Sequence, residues 1–599
     1  MFLREVKRQN KNGSQVSYLQ LVHNEWDGAA QTSRTKIVHS FGRTDQVDPA
    51  AIDRLIASLQ RLRDPCAAST APGTSATNGD AELALLGARP LGGTHLLDGM
   101  WHRLGIDKVM ATLLAGRRRD PSTERVLFAL VANRALHASS KLAAADWVSH
   151  DVHIDGLPEI TDDACYRAMD WLLQIEHELA QQVYWQVATL LDLEVDLLFF
   201  DTTSTYFELD EPDTPIRRDA AGYPVDDPTA EHTDPDNPPQ SDGGPHSDGG
   251  DDNHAADGAD DTAGFRTHGK SKDHRPDLPQ VVVGMAVTRT GIPIRCWCWP
   301  GNTGDSALIR QVRDDLRDWK LSRVVWVGDR GFSSAENRRY LQRGGGHYIL
   351  GEKLRSGSAE AAAALARQGR YQQVAENLRV KQVRLGEGDR FVVCHNPDQA
   401  LRDAQIRDLM LTQLRTAIAG TDTLTPTKRA ELRGQLSTKP GLNRYLRVTA
   451  GGLLRVDAKA IAAETKLDGK YLLRCSDPTL SAEDIALGYK QLLEVERGWR
   501  DMKQIIDLRP VYHRKEERIR SHVVLCWLAL LLIRIIETTT GDTWQRLRTE
   551  LDRLHAVTYT GPAGTCTQRT ELTSAQRDIY TTLALDPPRK IIELQTPTA

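Results

Sequence analysis

The chain has few of the residues and patterns that mark secreted, zinc-bound or membrane-embedded proteins. Its 599 residues include eight cysteines, all scattered, with no Cys-x-x-Cys pair and no paired histidine spacing beside them. A structural zinc site or a disulfide framework is therefore not expected. No apolar run reaches the roughly 20 residues of a membrane span. The longest, Val523 to Ile536, has Arg534 inside it and reads as a buried helix. The beginning of the chain turns polar straight after Leu3 and offers no apolar stretch of the signal-peptide kind, so a cytoplasmic location is expected. An excess of one charge is also missing from most of the chain. The formal −5 averages over residues 208–261, where 17 Asp or Glu face only Arg217 and Arg218. The remainder therefore carries +10, which permits a nucleic-acid partner without requiring one.

What the chain does have is length and changing texture. A single hydrophobic core does not usually organise 599 residues, so several domains are expected. Residues 1–62 read as a small β-rich unit closed by a helix from Ala50 to Leu62, and 63–82 as a flexible linker rich in Ala, Ser, Thr, Pro and Gly. Residues 83–192 show apolar spacing of helical period throughout, which predicts a helical domain. From 193 onward, short runs such as LEVDLLFFD and SRVVWVGDRGF are apolar on both faces, as strands inside a covered sheet are. With helices between them they predict an α/β core of mixed sheet, divided into 193–354 and 483–545. Two insertions interrupt it. Residues 208–262, dense in Asp, Pro, Gly, Asn and His, lack the apolar surface to order themselves and predict a disordered acidic loop. Residues 355–482 mix strand-like and helical pieces and predict an insertion domain. One long helix is expected after it, opened by Ser481 and Asp484 as a capping box. Residues 546–599 form a C-terminal segment of no stated role.

Two carboxylates stand in matching places. Asp201 follows Leu197–Phe200, and Asp329 follows Val324–Gly328, each at the carboxyl side of a buried strand, where open α/β sheets hold ligands and catalytic groups. Either alone is more often a turn or cap residue. On the helix beyond the second insertion, Tyr489, Glu496 and Lys503 recur at intervals of seven and share nearly one stripe. Arg500 lies four residues after Glu496, so a solvated ion pair is the plainer alternative for those two. Tyr489 reads equally as a packed aromatic. The segment Arg266–Arg275, with Lys270, Lys272 and Arg275, is either a phosphate-binding stretch or an ordinary solvated loop. His513, Arg514, Lys515, Arg518, Arg520 and His522 make a second basic patch that serves solubility as well as DNA. Trp297 and Trp299 favour packing over base stacking.

These pieces resemble the DDE transposases of bacterial insertion sequences, in particular the insertion-sequence-four-like group. That group carries its third acidic residue in a Tyr-x2-Arg-x3-Glu-x6-Lys signature. Tyr489, Glu496 and Lys503 match it, while Leu492 stands at the Arg position and Arg500 or Arg497 is left to supply that contact. The stretches FFDTTSTYFE, HGKSKDHRPDLPQ, VGDRGFSSAENRRYL and RPVYHRKEERIRSHV resemble a branch of the same group. The resemblance runs from about 196 to 532 with the acidic loop left out. It implies a ribonuclease-H-like core in which Asp201, Asp329 and Glu496 hold two Mg²⁺ ions, with Mn²⁺ able to substitute, and carry out DNA cleavage and strand transfer. It also implies DNA contacts by Tyr489, Arg500, Lys503, Lys270, Lys272 and Arg275, a role for 83–192 at DNA ends, and a dimer in the synaptic complex. Partners would be terminal inverted repeats and target DNA, in a nucleoid-associated setting. A nuclease or resolvase on the same fold, or a catalytically silent DNA-binding descendant, remains an alternative at this point.

Overall fold

Short β-branched and aromatic runs become strands where both of their faces can be covered. The computed structural model describes residues 2–9, 15–27, 32–43, 83–115, 120–192, 196–209, 211–225, 262–319, 321, 324–355, 357–386, 390–561 and 564–595. Residues 1–81 form one unit and 82–599 another. In the first, β1 (Phe2–Gln9), β2 (Gln15–Asp27) and β3 (Thr32–Arg43) pair as an antiparallel meander. The helix expected at Ala50–Leu62 and the linker 63–82 lie outside the described residues.

The second unit opens with β4 (Ala84–Pro90), followed by helices up to Leu190. Then come β5 (Leu197–Tyr206), a short pair of β6 (Ile216–Arg217) with β7 (Thr262–Ala263), β8 (Gln280–Val287), β9 (Pro293–Pro300), β10 (Val325–Gly328) and β11 (His347–Glu352). β12 (Gln372–Ala375), β13 (Leu378–Arg384) and β14 (Arg390–His395) precede a small ribbon, β15 (Leu446–Val448) with β16 (Leu454–Val456), and then β17 (Lys470–Cys475). β18 (His555–Gly561), β19 (Gly564–Arg569) and β20 (Ile591–Gln595) end the unit. The main sheet has nine strands in the order β12-β13-β14-β17-β11-β10-β5-β8-β9. β5, β10 and β11 are parallel, and every other neighbour in the sheet is antiparallel. The two antiparallel strands β8 and β9 are joined through Gly291, whose positive φ of 78° a side chain would strain.

One helix organises the rest. Glu516–Thr540 is buried along nearly its whole length and packs on β9 and on the helices Thr123–Leu136 and Asp162–Leu190. It is long and apolar enough to cross a membrane, but protein covers its apolar window entirely. Arg534 inside it is ion-paired to Asp501 at 2.5 Å and Glu537 at 2.9 Å, which satisfies a charge that burial would otherwise penalise heavily.

Several expectations change with the tertiary structure. Residues 83–192 are not a self-contained helical domain. Their first segment is β4, paired with β18, and their longest helices are spent covering Glu516–Thr540. The acidic stretch 208–262 is folded over 211–225. Arg218 is buried against Glu516 at 2.9 Å, and Asp213 accepts from Arg266. A few paired side chains order what the average composition predicts to be loose, and residues 226–261 lie outside the described residues. The insertion 355–482 is not separate from the core either. β12, β13, β14 and β17 extend its sheet, and only 397–468 departs as a lobe, with a small core of Leu411, Leu414, Leu436 and Tyr445. The long helix predicted from Ser481 is two helices, Ala482–Lys490 and Leu493–Gln504, meeting at Gln491–Leu492, with the Ser481–Asp484 capping box in place.

Candidate active site

Asp201 lies in the middle of β5, flanked by Phe200, which packs against Phe332 and Trp297, and by buried Thr202. β10 runs parallel to β5 with Val325, Trp326 and Val327 opposite Leu197, Leu198 and Phe199. Continued by two residues, this register sets Asp329 beside Asp201 on adjacent strands, which are spaced by about 4.8 Å. Asp329 ends its strand by accepting the Gly331 N–H at 2.6 Å and so caps the turn Arg330–Phe332. Burial pushes the Asp201 carboxyl up to about 6. Lys272 and the Thr202 backbone oppose that rise, whereas the negative charges of Asp329 and Asp305 add to it.

Asp305 is the carboxylate that the sequence reading missed. It opens the helix Asp305–Asp315, accepts from Thr202 Oγ1 at 2.7 Å and pairs with Lys272 Nζ at 3.2 Å. An acidic residue in the first helical turn, directly after Gly304, was the available signal, but it reads as an ordinary helix start. Lys272 also donates to the Thr202 carbonyl at 2.8 Å and to Thr202 Oγ1. It is turned inward onto β5, and is not the freely solvated cation that its loop predicts.

The helix Leu493–Gln504 lies against β5 and β8 through Val495, Gly498, Trp499 and Met502. Gly498 matters here because a Cβ would come within 2.6 Å of Met285 Cε, and Met285 is the residue opposite Asp201. Lys503 donates to Thr203 Oγ1 at 2.8 Å and to Asp273 Oδ1 at 2.8 Å. Glu496, two turns earlier on the same stripe, is exposed. Among the described residues no group of three or more His, Cys, Asp or Glu side chains is gathered for a metal ion. The structure thus brings Asp201 and Asp329 together and leaves Glu496 outside that pair. Arg500 is exposed and forms no ion pair with Glu496 among the described residues. Arg497 is committed to Glu537 at 3.2 Å.

Tyr489 is largely buried and stacks on Tyr471 with ring centroids 6.0 Å apart. Its hydroxyl would meet a Cβ at Gly351 at 2.6 Å, so only glycine leaves room there. Burial, together with the charges of Asp329 and Asp201, raises the Tyr489 phenol well above its ordinary value. It therefore stands near the aspartates as a hydrogen-bond donor. Of the loop cations, Lys270 is exposed, while Arg275 pairs with Asp277 at 2.8 Å and lies 5.3 Å over the Tyr206 ring. The second basic patch dissolves on folding. His513, Arg520 and His522 are buried and Arg518 pairs with Asp170, so only Arg514 and Lys515 remain exposed. Trp297 and Trp299 are packed, with their N–H groups on Asp315 and Gln311. One cleft of about 570 Å³ is lined by Asp329, Gly351, Lys353 and Tyr489. Another of about 610 Å³ is lined by Tyr206, Lys503, Arg509 and Tyr512.

The comparisons with known proteins bear on the family of the chain. A family model described as a transposase DDE domain matches residues 252–532, a span that holds Asp329 and Glu496 and begins after Asp201. A second, described as the IS1634 family transposase N-terminal domain, matches residues 3–71. No curated protein matches. Among solved structures, the piggyBac transposase synaptic complex with hairpin DNA is 10% identical, with a TM-score of 0.32 over 76% of this chain and 78% of that one, too slight a likeness to argue from. The chain belongs to the bacterial insertion-sequence DDE transposases, DNA-acting enzymes that as a class depend on divalent metal.

Proposed function

We propose that Asp201, Asp329 and Glu496 are the metal-binding and catalytic carboxylates of this transposase, and that they cleave and rejoin DNA at the ends of an insertion sequence with two Mg²⁺ ions. The single observation that carries the reading is the parallel register that sets Asp329 beside Asp201. The donor set fits the ion. Oxygen-only ligands suit Mg²⁺ or Mn²⁺, and the half-buried Asp201, whose carboxyl is raised to about 6 by desolvation and by Asp329 and Asp305, would be relieved by a cation. The sheet order β9-β8-β5-β10-β11, with three strands antiparallel and then two parallel to β5, supports the ribonuclease-H-like reading of this core.

Asp201, Asp329 and Glu496 would hold the metal pair, which would supply polarisation of the scissile phosphate, an activated attacking oxygen and charge to stabilise the leaving one. The chain's own residues prepare that step. Asp201 must lose its proton before it can act as a ligand. Glu496 shares the helix flank of Lys503, whose ammonium reaches Thr203 two residues beyond Asp201, and as an exposed third carboxylate it would complete the ligand set of the bound ions. Lys503 offers a charge, and Tyr489 a hydroxyl, for holding the phosphates of the DNA end. Lys270 and Arg500, both exposed, extend the cationic surface, and Arg275 joins it if DNA displaces Asp277. A dimer would hold two ends in the synaptic complex, and the cytoplasm and its nucleoid would be the place of action.

The test is a strand-transfer assay on a donor bearing terminal inverted repeats, with Mg²⁺ against EDTA. Asp201→Ala, Asp329→Ala and Glu496→Ala should each lose cleavage about a thousandfold or more, as the loss of roughly 4 kcal/mol of transition-state stabilisation requires, while end binding in EDTA persists. Normal cleavage by any one of them removes that residue from the set.

A further inference from the structure

We propose that Asp273 is a positioning residue. It holds Lys503 and Arg509 as a clamp for the DNA phosphate next to the one engaged at Asp201 and Asp329. The proposal rests on the reading of those two aspartates as the metal-binding pair. Asp273 stands in the loop between β7 and β8, far in sequence from both cations, and its side chain is only 10% exposed. Its carboxylate meets Lys503 Nζ at 2.8 Å and Arg509 Nη1 at 3.3 Å. The loop that carries it is pinned to β5 by the Lys272 N–H, which donates to Ser204 Oγ at 2.9 Å, and is tightened by the Arg275 N–H, which donates to Ser271 Oγ at 3.1 Å. The segment Lys503–Arg509 and β5, through Ser204 Oγ at 3.5 Å, thus meet the loop at one carboxylate.

The charges do not balance at this point. Two cations share one anion, and the 610 Å³ cleft that Lys503 and Arg509 line also holds Arg514 against the single carboxylate of Glu208, so positive charge is left facing it. An ammonium has three donors. Lys503 spends one on Asp273 and one on Thr203 Oγ1, which leaves the third for an outside acceptor. Arg509 is steadied on its other side by the Tyr206 ring at 4.8 Å. Thr203 lies two residues from Asp201 on the same face of β5, about 7 Å along the strand. That distance is comparable to the step between consecutive phosphates of one DNA strand. Asp273 therefore fixes a cation one phosphate away from the aspartate pair. Without it, Lys503 and Arg509 repel each other and Lys503 keeps a single anchor.

The experiment compares Asp273→Asn, Asp273→Glu, Lys503→Ala and the double variant Asp273→Asn/Lys503→Ala in the full chain. It reads single-turnover cleavage of a terminal-repeat duplex with Mg²⁺ and equilibrium binding of that duplex in EDTA across a salt series. Asp273→Asn should cut roughly tenfold to a hundredfold more slowly, the scale of an ångström-sized misplacement, while binding as tightly as wild type or more tightly, because a negative charge is gone. Asp273→Glu should recover part of the rate. Lys503→Ala should lower the salt slope by about one, and the double variant should be no slower than Lys503→Ala alone. Full cleavage by Asp273→Asn overturns the proposal. So do losses that multiply in the double variant, since Asp273 would then act independently of Lys503. Wild-type cleavage that survives Asp201→Asn overturns the metal-site reading beneath it, and this proposal with it.

Discussion

Asp201 carries a pH signature of its own. Its carboxyl titrates near 6 in the folded chain and at 3.8 when unperturbed. Below 3.8 both states hold the proton, and the residue does not disfavour folding. Between the two values the native state binds the proton more tightly, so raising the pH lowers stability, and above 6 the full penalty applies. At 1.36 kcal/mol per unit it is on the order of 2–3 kcal/mol. Metal-free Asp201→Asn should therefore melt above wild type at pH 8, with the gap closing toward pH 4. Mg²⁺ should raise the melting temperature of wild type at pH 8 and not that of the variant. Melting curves that differ by the same amount at every pH would refute this account. Asp201 and Asp329 were legible in the sequence because each ends or interrupts a buried apolar run. Asp305 and Asp273 were not. Their importance comes from what Lys272, Thr202, Lys503 and Arg509 do around them, and no spacing along the chain encodes those contacts.

At the scale of elements, the helix Leu493–Gln504 is held from both sides. β5 and β8 lie beneath it, and Arg534 of the central helix reaches Asp501 on it. Arg534→Ala would leave Asp501 without its ion-pair partner, while Glu537 keeps Arg497 at 3.2 Å and the Trp544 N–H at 2.8 Å. Breaking a buried pair in this way typically costs about 3–5 kcal/mol. It should also loosen the helix that carries Glu496 and Lys503. The expected result is a large drop in the denaturant midpoint, with cleavage falling further than the unfolded fraction explains. Unchanged stability would show that Asp501 finds another partner. Periodicity in the sequence predicted this helix but ran it into the one before it, because Gln491 and Leu492 are compatible with helix and only the packing of two separate faces breaks it there. In the same way, strand alternation over 378–395 was visible, while its continuation of the core sheet was not, since which strand edge receives another is a long-range choice.

On the scale of the whole molecule, the lobe 397–468 leaves and rejoins the sheet at nearly one point. His395 pairs with Lys470, and the Asn396 N–H donates to the Gly469 carbonyl at 2.8 Å. Replacing 397–468 by an Asn-Gly turn should therefore keep a cooperatively folding core, because the two strands need only a hairpin connection and the lobe packs around its own cluster. Loss of cooperative unfolding, followed by circular dichroism, would show that the lobe is needed for the core to fold. Composition, buried runs and motif spacing by themselves determined that this chain has a covered mixed sheet with Asp201 and Asp329 beside its apolar runs. These are properties of short windows, set by burial and by the periods of strand and helix. The single stripe read through Tyr489, Glu496 and Lys503, by contrast, is broken at Gln491–Leu492, with Tyr489 on one helix and Glu496 and Lys503 on the next. Only the tertiary structure decided that the helical segment wraps the central helix, that the insertion extends the sheet, that 211–225 is folded, and that Asp305 and Asp273 stand at the site. Each of those depends on pairing between residues distant in the chain, where the stabilisation comes from contacts that no local window contains.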